Sequence, residues 1–257
     1  NRLRNKMIRP TIIPQLIDVL IVEHAVAREA LRLGFQHHKS LARGLRGVQK
    51  QRTIGDLFEQ TLEEETYIDM IQVDMIAGTG GLLSHAPRRV QTALMLIDGF
   101  GAQGVTRLAQ DSVFMMPHLG VLSTVHPTAA MEIFEKDCLI RMGTCVAPKG
   151  IPDDKTEIAM TVTWRTPSGA EETIEVAKDE MKLIRIKESE KVYAEVKPAT
   201  TLDIGEGPGK GIRTELHGGV VGIILDGRGR PINLPADDLE RRRKLISWFK
   251  VLDSYPE

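Results

Sequence analysis

Residues 75–89, MIAGTGGLLSHAPRR, carry the densest chemical signal in the sequence. An apolar run enters a turn made of Gly78, Thr79, Gly80 and Gly81. Ser84 follows as a candidate cap, then His85, and a helical pattern starts near Pro87. Glycines let a ligand approach the backbone with no Cβ in the way. A helix N-terminus adds free N–H groups and a positive dipole for an anion. Together these suit a nucleotide. The run is not a P-loop, because no Gly-Lys-Ser/Thr follows the turn, and its glycines fall as GxGG rather than GxGxxG. A tight structural strand-to-helix turn explains the same residues, and the residue types leave both explanations open.

Other candidates are weaker. Asp69, Asp74 and Asp111 lie beside the strands that would frame a nucleotide crevice, placed to hold Mg²⁺ through water or to be ordinary strand-end carboxylates. A second glycine cluster, GEGPGKG at 205–211, is followed by a strand pattern and so reads as a flexible hairpin loop. His118 and His126 neighbour prolines, but no HExxH or other paired spacing occurs and no metal site is assigned. No GxSxG offers a nucleophilic serine, and no catalytic residue is named. Cys138 and Cys145 form no CxxC pair and read as small buried hydrophobes. His37, His38, Lys39, Arg43, Arg46, Lys50 and Arg52 make a basic stretch that is either a solvated connector or an anion-facing loop.

The elements that must position these residues follow from hydrophobic period. Residues 14–33 are dense in helix formers, with Gly34 as the stop. Residues 53–66 resume a helical pattern, 67–77 read as a buried strand, and 87–100 present Val90, Ala93, Leu94, Ile97 and Phe100 on one helical face. GVTRLAQD at 104–111 reads as a strand, MPHLG as a loop, and 126–137 as a helix opened by Pro127. This alternation is an α/β signature. After 147–155 the texture changes to short alternating runs with hairpin separators, which predicts an antiparallel β module, barrel or sandwich, with no parallel pairing and separate from the first sheet. The tail from Pro235 predicts a helix with a buried stripe at Leu239, Ile246, Phe249 and Leu252. The resulting division is 1–148, 149–234 and 235–257.

Composition narrows the function classes. The 257 residues are 42% hydrophobic and 27% charged, with 34 basic against 35 acidic side chains for a net charge of -1. That balance, with 4% aromatics, argues against a nucleic-acid surface. No apolar run approaches the roughly 20 residues of a membrane span, so a cytoplasmic protein is expected. The start at Asn1 inside a charged stretch is expected to mark a piece of a longer chain.

The run GTGGLLSHAPRR, with GVTRLAQDSVFMMPHLGVLSTVHPTAAMEIFEKDCLIRMGTCVAPKG after it (78–150), resembles the MutL-type accessory proteins of adenosylcobalamin-dependent glutamate (methylaspartate) mutase. These are unrelated to the mismatch-repair protein that shares the name. The later GPGKG, the HGGVVGIILDGRGRPINLP segment and the terminal helix also look like that family's C-terminal region. Its members are similar to the actin, Hsp70 and sugar-kinase ATPases, whose two halves clamp a nucleotide. The resemblance implies the second half of such an actin-like or ribonuclease-H-like domain, with Gly78, Thr79, Gly80, Gly81, Ser84 and His85 as the nucleotide-binding positions. The phosphate motif DxG[ST] of the first half is missing: Asp98-Gly-Phe and Asp226-Gly-Arg do not fit it. The chain is therefore expected to be the C-terminal half of an ATP-dependent chaperone, or reactivase, and inactive alone. ATP and Mg are implied for the full-length parent, with none expected bound to the fragment. The implied partners are cobalamin-dependent mutase subunits and the N-terminal half of the same protein, not nucleic acid or membrane. A non-catalytic interaction module whose glycines are structural is the alternative, and a small-molecule kinase of the same fold is a third possibility.

Overall fold

The computed structural model describes residues 2–42, 66–165 and 170–256. Two helices open it, α1 (Arg2–Ile8) and α2 (Ile17–Leu41), and a 3-10 turn at Met70–Gln72 leads into β1 (Met75–Gly78). The short α3 (Gly81–Ser84), α4 (Arg89–Phe100) and β2 (Gly104–Asp111) follow. A helical hairpin, α5 (Met116–Ser123) and α6 (Pro127–Ile133), ends in a π turn at Phe134–Cys138 and returns through β3 (Leu139–Ala147). Then come β4 (Ile158–Arg165), β5 (Glu171–Ala177), β6 (Met181–Ile184), β7 (Lys191–Pro198), β8 (Ile212–His217), β9 (Gly222–Asp226) and α7 (Asp238–Val251).

The strands form two sheets, ordered β1-β2-β3-β9-β6 and β5-β4-β7-β8. Side chains on a strand alternate between faces, and that alternation sorts the five-stranded sheet into two cores. Leu108, Met142, Cys145 and Ile224 face the helical core with Leu94, Leu96, Trp248 and Leu252. Their neighbours Val146, Ile223 and Leu225 face Met160, Val162, Val196 and Leu216 of the four-stranded sheet. The five-stranded sheet is thus the middle layer, which is why every residue of β9 is buried. Covered on both faces, β9 reads as a continuous apolar run rather than an alternating one.

β3 bulges where it passes β2, between the partners of Leu108 and Ala109. Gly143 sits at that point with φ +129 beside Gly222, and a Cβ there would stand 1.9 Å from the Gly222 carbonyl oxygen. The β3–β9 contact therefore requires glycine. On the helical side α2 lays Ala27, Leu31 and Phe35 on the core at helical spacing. The closest approach is at Gly99 of α4, where a Cβ would be 2.6 Å from that of Leu31.

A buried ionic network closes the layers. Asp226, at the end of β9, accepts Nε (2.9 Å) and Nη2 (2.7 Å) of Arg228 and Nη2 of Arg230 (2.7 Å). Arg228 also donates to Asp98 of α4 at 2.8 Å and lies over the Trp248 ring of α7, 4.8 Å from its centroid. Arg28 of α2 pairs with the other oxygen of Asp98 at 3.3 Å, and Arg230 donates to the Ala102 carbonyl at 2.8 Å. Burial works against the Asp226 charge, but the two guanidiniums outweigh it and hold the carboxyl far below its usual range.

Several sequence expectations change. The architecture is mixed α/β, but the described residues form no closed barrel: β4, β5, β7 and β8 make an open antiparallel sheet. The C-terminal strands are not separate from the first sheet either. β6 and β9 join it, and β9 runs parallel to β3. Gly34 does not stop α2, because a solvated glycine costs a long packed helix only about 1 kcal/mol; the helix continues through His37, His38 and Lys39. Arg43, Arg46, Lys50, Arg52 and the expected helix at 53–66 lie outside the described residues. The buried strand shortens to β1, and the expected MPHLG loop is helical, in α5. α7 begins three residues after Pro235, at Asp238, with the Asp237 carboxylate as its cap accepting the Glu240 N–H at 2.8 Å. Its packed side is Leu245, Trp248, Phe249 and Leu252, while Leu239 and Ile246 are exposed.

Asp226→Ala is expected to destabilise the fold by about 3–5 kcal/mol, because it removes the buried carboxylate shared by two guanidiniums and leaves Arg230 without one. Urea unfolding measures this. A loss below about 1 kcal/mol would show that the network does not join α4, β9 and α7.

Candidate functional site

The glycine turn stands at the carboxyl ends of two parallel strands, β1 and β2, which pair from Met75↔Arg107 to Gly78↔Gln110. Gly78 is packed inside: a Cβ would meet Leu96 and Leu83 at 3.1–3.2 Å. Gly80 takes φ +106, a conformation that favours glycine, and Gly81 opens α3 with nothing within 4 Å of its missing Cβ. Gly78 is thus needed for packing, Gly80 for its backbone conformation, and Gly81 borders open space.

Asp111 organises the turn from the neighbouring strand. Its carboxylate accepts the Thr79 hydroxyl at 3.0 Å, the Met116 N–H at 2.8 Å and the Val113 N–H at 3.3 Å. Its carbonyl accepts the Ser84 hydroxyl at 2.6 Å. Burial pushes the Asp111 carboxyl upward, but these N–H groups and the Thr79 hydroxyl outweigh it and leave the group below its ordinary value. Asp111 is fully buried, and these hydrogen bonds fix the turn and the start of α5. Asp69 and Asp74 lie at the opposite end of β1. Asp69 caps the 3-10 turn and faces Lys149 at 3.9 Å. Among the described residues, no three His, Cys, Asp or Glu side chains gather to hold a metal.

The six motif residues therefore divide. Thr79 and Ser84 are tied to Asp111, and Gly78 is core. Gly81 and His85 border a cavity of about 930 Å³ between the turn and the N-terminal segment. Its other wall is residues 10–17 with Lys6, Leu20, Glu23 and His24 of the first two helices, and Arg88, Gln91 and Pro256 complete it. The start of α4 borders the same cavity through Pro87, Arg88 and Gln91. Gln91 Oε1 accepts the Arg88 N–H at 3.0 Å, and Gln91 Nε2 donates to the Ser254 carbonyl at 2.8 Å. The C-terminal tail occupies that end.

The polar groups around the cavity come from far apart in sequence. Lys6 pairs with Glu23 at 2.7 Å and donates to the Ile12 carbonyl at 2.7 Å, fastening the segment across the opening. The second Glu23 oxygen, Oε2, is buried with no hydrogen-bond partner. An unmet buried acceptor is costly unless a ligand or water supplies a donor. His24 is buried, with Nδ1 2.9 Å from the Tyr255 hydroxyl. Burial, and after it the charge of Arg28, lowers its imidazole from 6.5 to about 4. The sequence reading missed Lys6, Glu23, His24 and Arg88. The available clue was a His-Glu pair inside the apolar LIVEHAV of α2.

The remaining sequence candidates lie away from this cavity. The 205–211 glycines sit in the β7–β8 loop, where Asp203 Oδ1 accepts the N–H groups of Gly205 (2.8 Å) and Gly207 (2.9 Å). Cys138 and Cys145 are free and buried, and burial pushes the Cys145 thiol up to about 12, which removes its reactivity. His118 lies in α5 and His126 caps α6. Among the described residues no helix is long and apolar enough to cross a membrane.

The layered sheets and the strand-end cavity define a mixed α/β protein with a ligand-sized opening at a glycine turn. The family model for MutL protein matches residues 1–138, and the chain belongs to that family. The matched segment holds the glycine turn, both walls of its cavity apart from Pro256, and the α5–α6 hairpin. No curated protein and no solved structure matches the chain.

His24 gives the site a pH signature. Its imidazole is lowered on folding, so the unfolded chain takes up the proton first. The stability tied to neutral His24 is complete above pH 6.5 and is lost as pH falls toward 4. Urea unfolding is expected to show stability lost across that window from this group, and His24→Leu is expected to flatten the slope there. An unchanged slope in the variant would contradict it.

Proposed function

We propose that the chain supplies the adenosine-side wall of an ATP-binding clamp in an accessory protein of a cobalamin-dependent mutase. Membership of the MutL family points to the mutase-associated role. The observation that supports nucleotide binding is the cavity beside Gly81 and His85, of about 930 Å³ and largely apolar. That size and lining suit a ligand with a flat apolar part and a few polar groups. Glu23 Oε2 offers a buried acceptor of the kind that receives a ribose hydroxyl or an exocyclic amine. His85 and Gly81 would contact the nucleoside, and Thr79 and Ser84 would hold the turn through Asp111. When bound, ATP supplies the phosphoryl-transfer free energy on which actin-like clamps open and close.

A second reading is a protein-interaction module. It rests on the α5–α6 hairpin, where Val121 and Val125 are each 70% exposed and Met131 is 59% exposed. Across residues 113–134 only Glu132 carries a full charge. Such a surface favours contact with another apolar surface.

Gly81→Val separates the readings. Gly81 has open space for a side chain and an ordinary backbone conformation, so the variant is expected to fold, whereas Gly80→Val would strain the backbone. Its affinity for a non-hydrolysable ATP analogue, measured by calorimetry, is expected to fall tenfold or more, about 1.4 kcal/mol. Equal affinity in the folded variant would overturn the nucleotide reading. The wild-type chain alone is expected to release no phosphate above background, because the cavity provides no group that aligns a γ-phosphate, its metal and the attacking water together. Metal-dependent release abolished by Gly81→Val would contradict that.

A further inference from the structure

A second, smaller cleft of about 190 Å³ shares the Arg88 wall with the glycine-turn cavity. Arg88 and Arg89 reach it from the start of α4, and Arg185 from the end of β6; Leu183, Val221 and Leu252 are among its apolar walls. Three arginines and one acidic residue, Asp253, therefore line the cleft. Arg88 Nη1 donates to both the Asp253 carboxylate and its carbonyl at 2.7 Å. Arg89 donates to the Ser84 carbonyl at 2.9 Å, and Arg185 is exposed. Neither Arg89 nor Arg185 has a carboxylate within salt-bridge distance among the described residues. Both arginines line the cleft without a carboxylate partner, and its volume suits one small polyanion.

We infer that this cleft takes the phosphate groups of the ligand whose nucleoside part occupies the neighbouring cavity. Arg88 lies on the wall between the two, so one molecule can span them. Guanidiniums bind phosphate oxygens through paired N–H donors, and three of them provide for a diphosphate charge. Asp253 occupies Arg88 as an internal anion. It sits at φ +49, at the end of the same C-terminal tail that caps α4. An incoming phosphate would compete with that carboxylate, so the tail couples anion binding to the α7 end of the fold. The inference depends on the nucleotide proposal only for what the phosphates are attached to.

Inorganic pyrophosphate, titrated calorimetrically into the intact chain, is the test. Arg185→Ala and Arg89→Gln are each expected to weaken binding about tenfold. Asp253→Asn, which keeps a residue tolerant of positive φ, is expected to strengthen it threefold or more by removing the competing charge. A role confined to structure would not produce that gain. Thermal unfolding of each variant confirms folding. Absence of pyrophosphate binding at millimolar concentration, or binding indifferent to all three substitutions, overturns the inference. Adenosine titrated separately distinguishes the two failures. Pyrophosphate binding without adenosine binding upholds the cleft and removes the nucleotide reading, and the converse removes the cleft alone.

Discussion

The structure depends on one buried set of charges, Asp226 with Arg228 and Arg230, extended to Asp98 and Arg28. These residues come from β9 and the turn after it, from α4 and from α2, and Arg228 stacks on Trp248 of α7. No apolar contact could fix so many elements at once, because apolar packing tolerates sliding and bidentate hydrogen bonds do not. Whether the set adds net stability over an apolar equivalent is a separate matter, since burying charges is expensive. What it provides is position. It fixes α4 against the sheet, and the Arg28–Asp98 ion pair adds α2, so that both walls of the cavity, one built on α2 and the other on the turn before α4, are tied to it.

The same positioning explains why the glycine turn can be open without being loose. Asp111 receives the Thr79 hydroxyl and the first N–H of α5, and Ser84 donates to its carbonyl. The backbone from 79 to 84 is held from behind, which leaves Gly81 and His85 facing outward. A site preorganised in this way costs a ligand little ordering on binding. The segment at 10–17 is fastened more lightly, chiefly by Lys6, and its Ile12, Ile13 and Leu16 are exposed. The cavity is therefore rigid on one side and adjustable on the other.

Much of this was legible in the residues. The helix α4 itself, a C-terminal helix after Pro235, the antiparallel pairing of β4, β5, β7 and β8, and the strand-turn-helix at 75–89 all follow from local period and punctuation; that α4 is buried on more than its one apolar face does not. The errors share a cause. β9 was assigned to a separate module because chain order suggested it, but its uninterrupted GIILD is the pattern of a strand buried on both faces. Nothing local in GRGRP shows that Arg228 reaches Asp98, 130 positions away. The cavity was invisible for the same reason: residues 6–24 and 81–91 meet only in the folded chain. Of the motif residues, sequence could not tell Gly81 and His85, which border the cavity, from Thr79 and Ser84, which turn inward to Asp111.

The central claim is that a nucleotide lies between the N-terminal segment and the glycine turn. Hydrogen–deuterium exchange of the chain with and without ADP tests it most directly. Amides at residues 10–24 and 79–91 are expected to slow together on ligand addition, with those of α5 and α6 unchanged. Protection confined to the α5–α6 hairpin, or no change at either wall of the cavity at saturating ADP, would contradict the account.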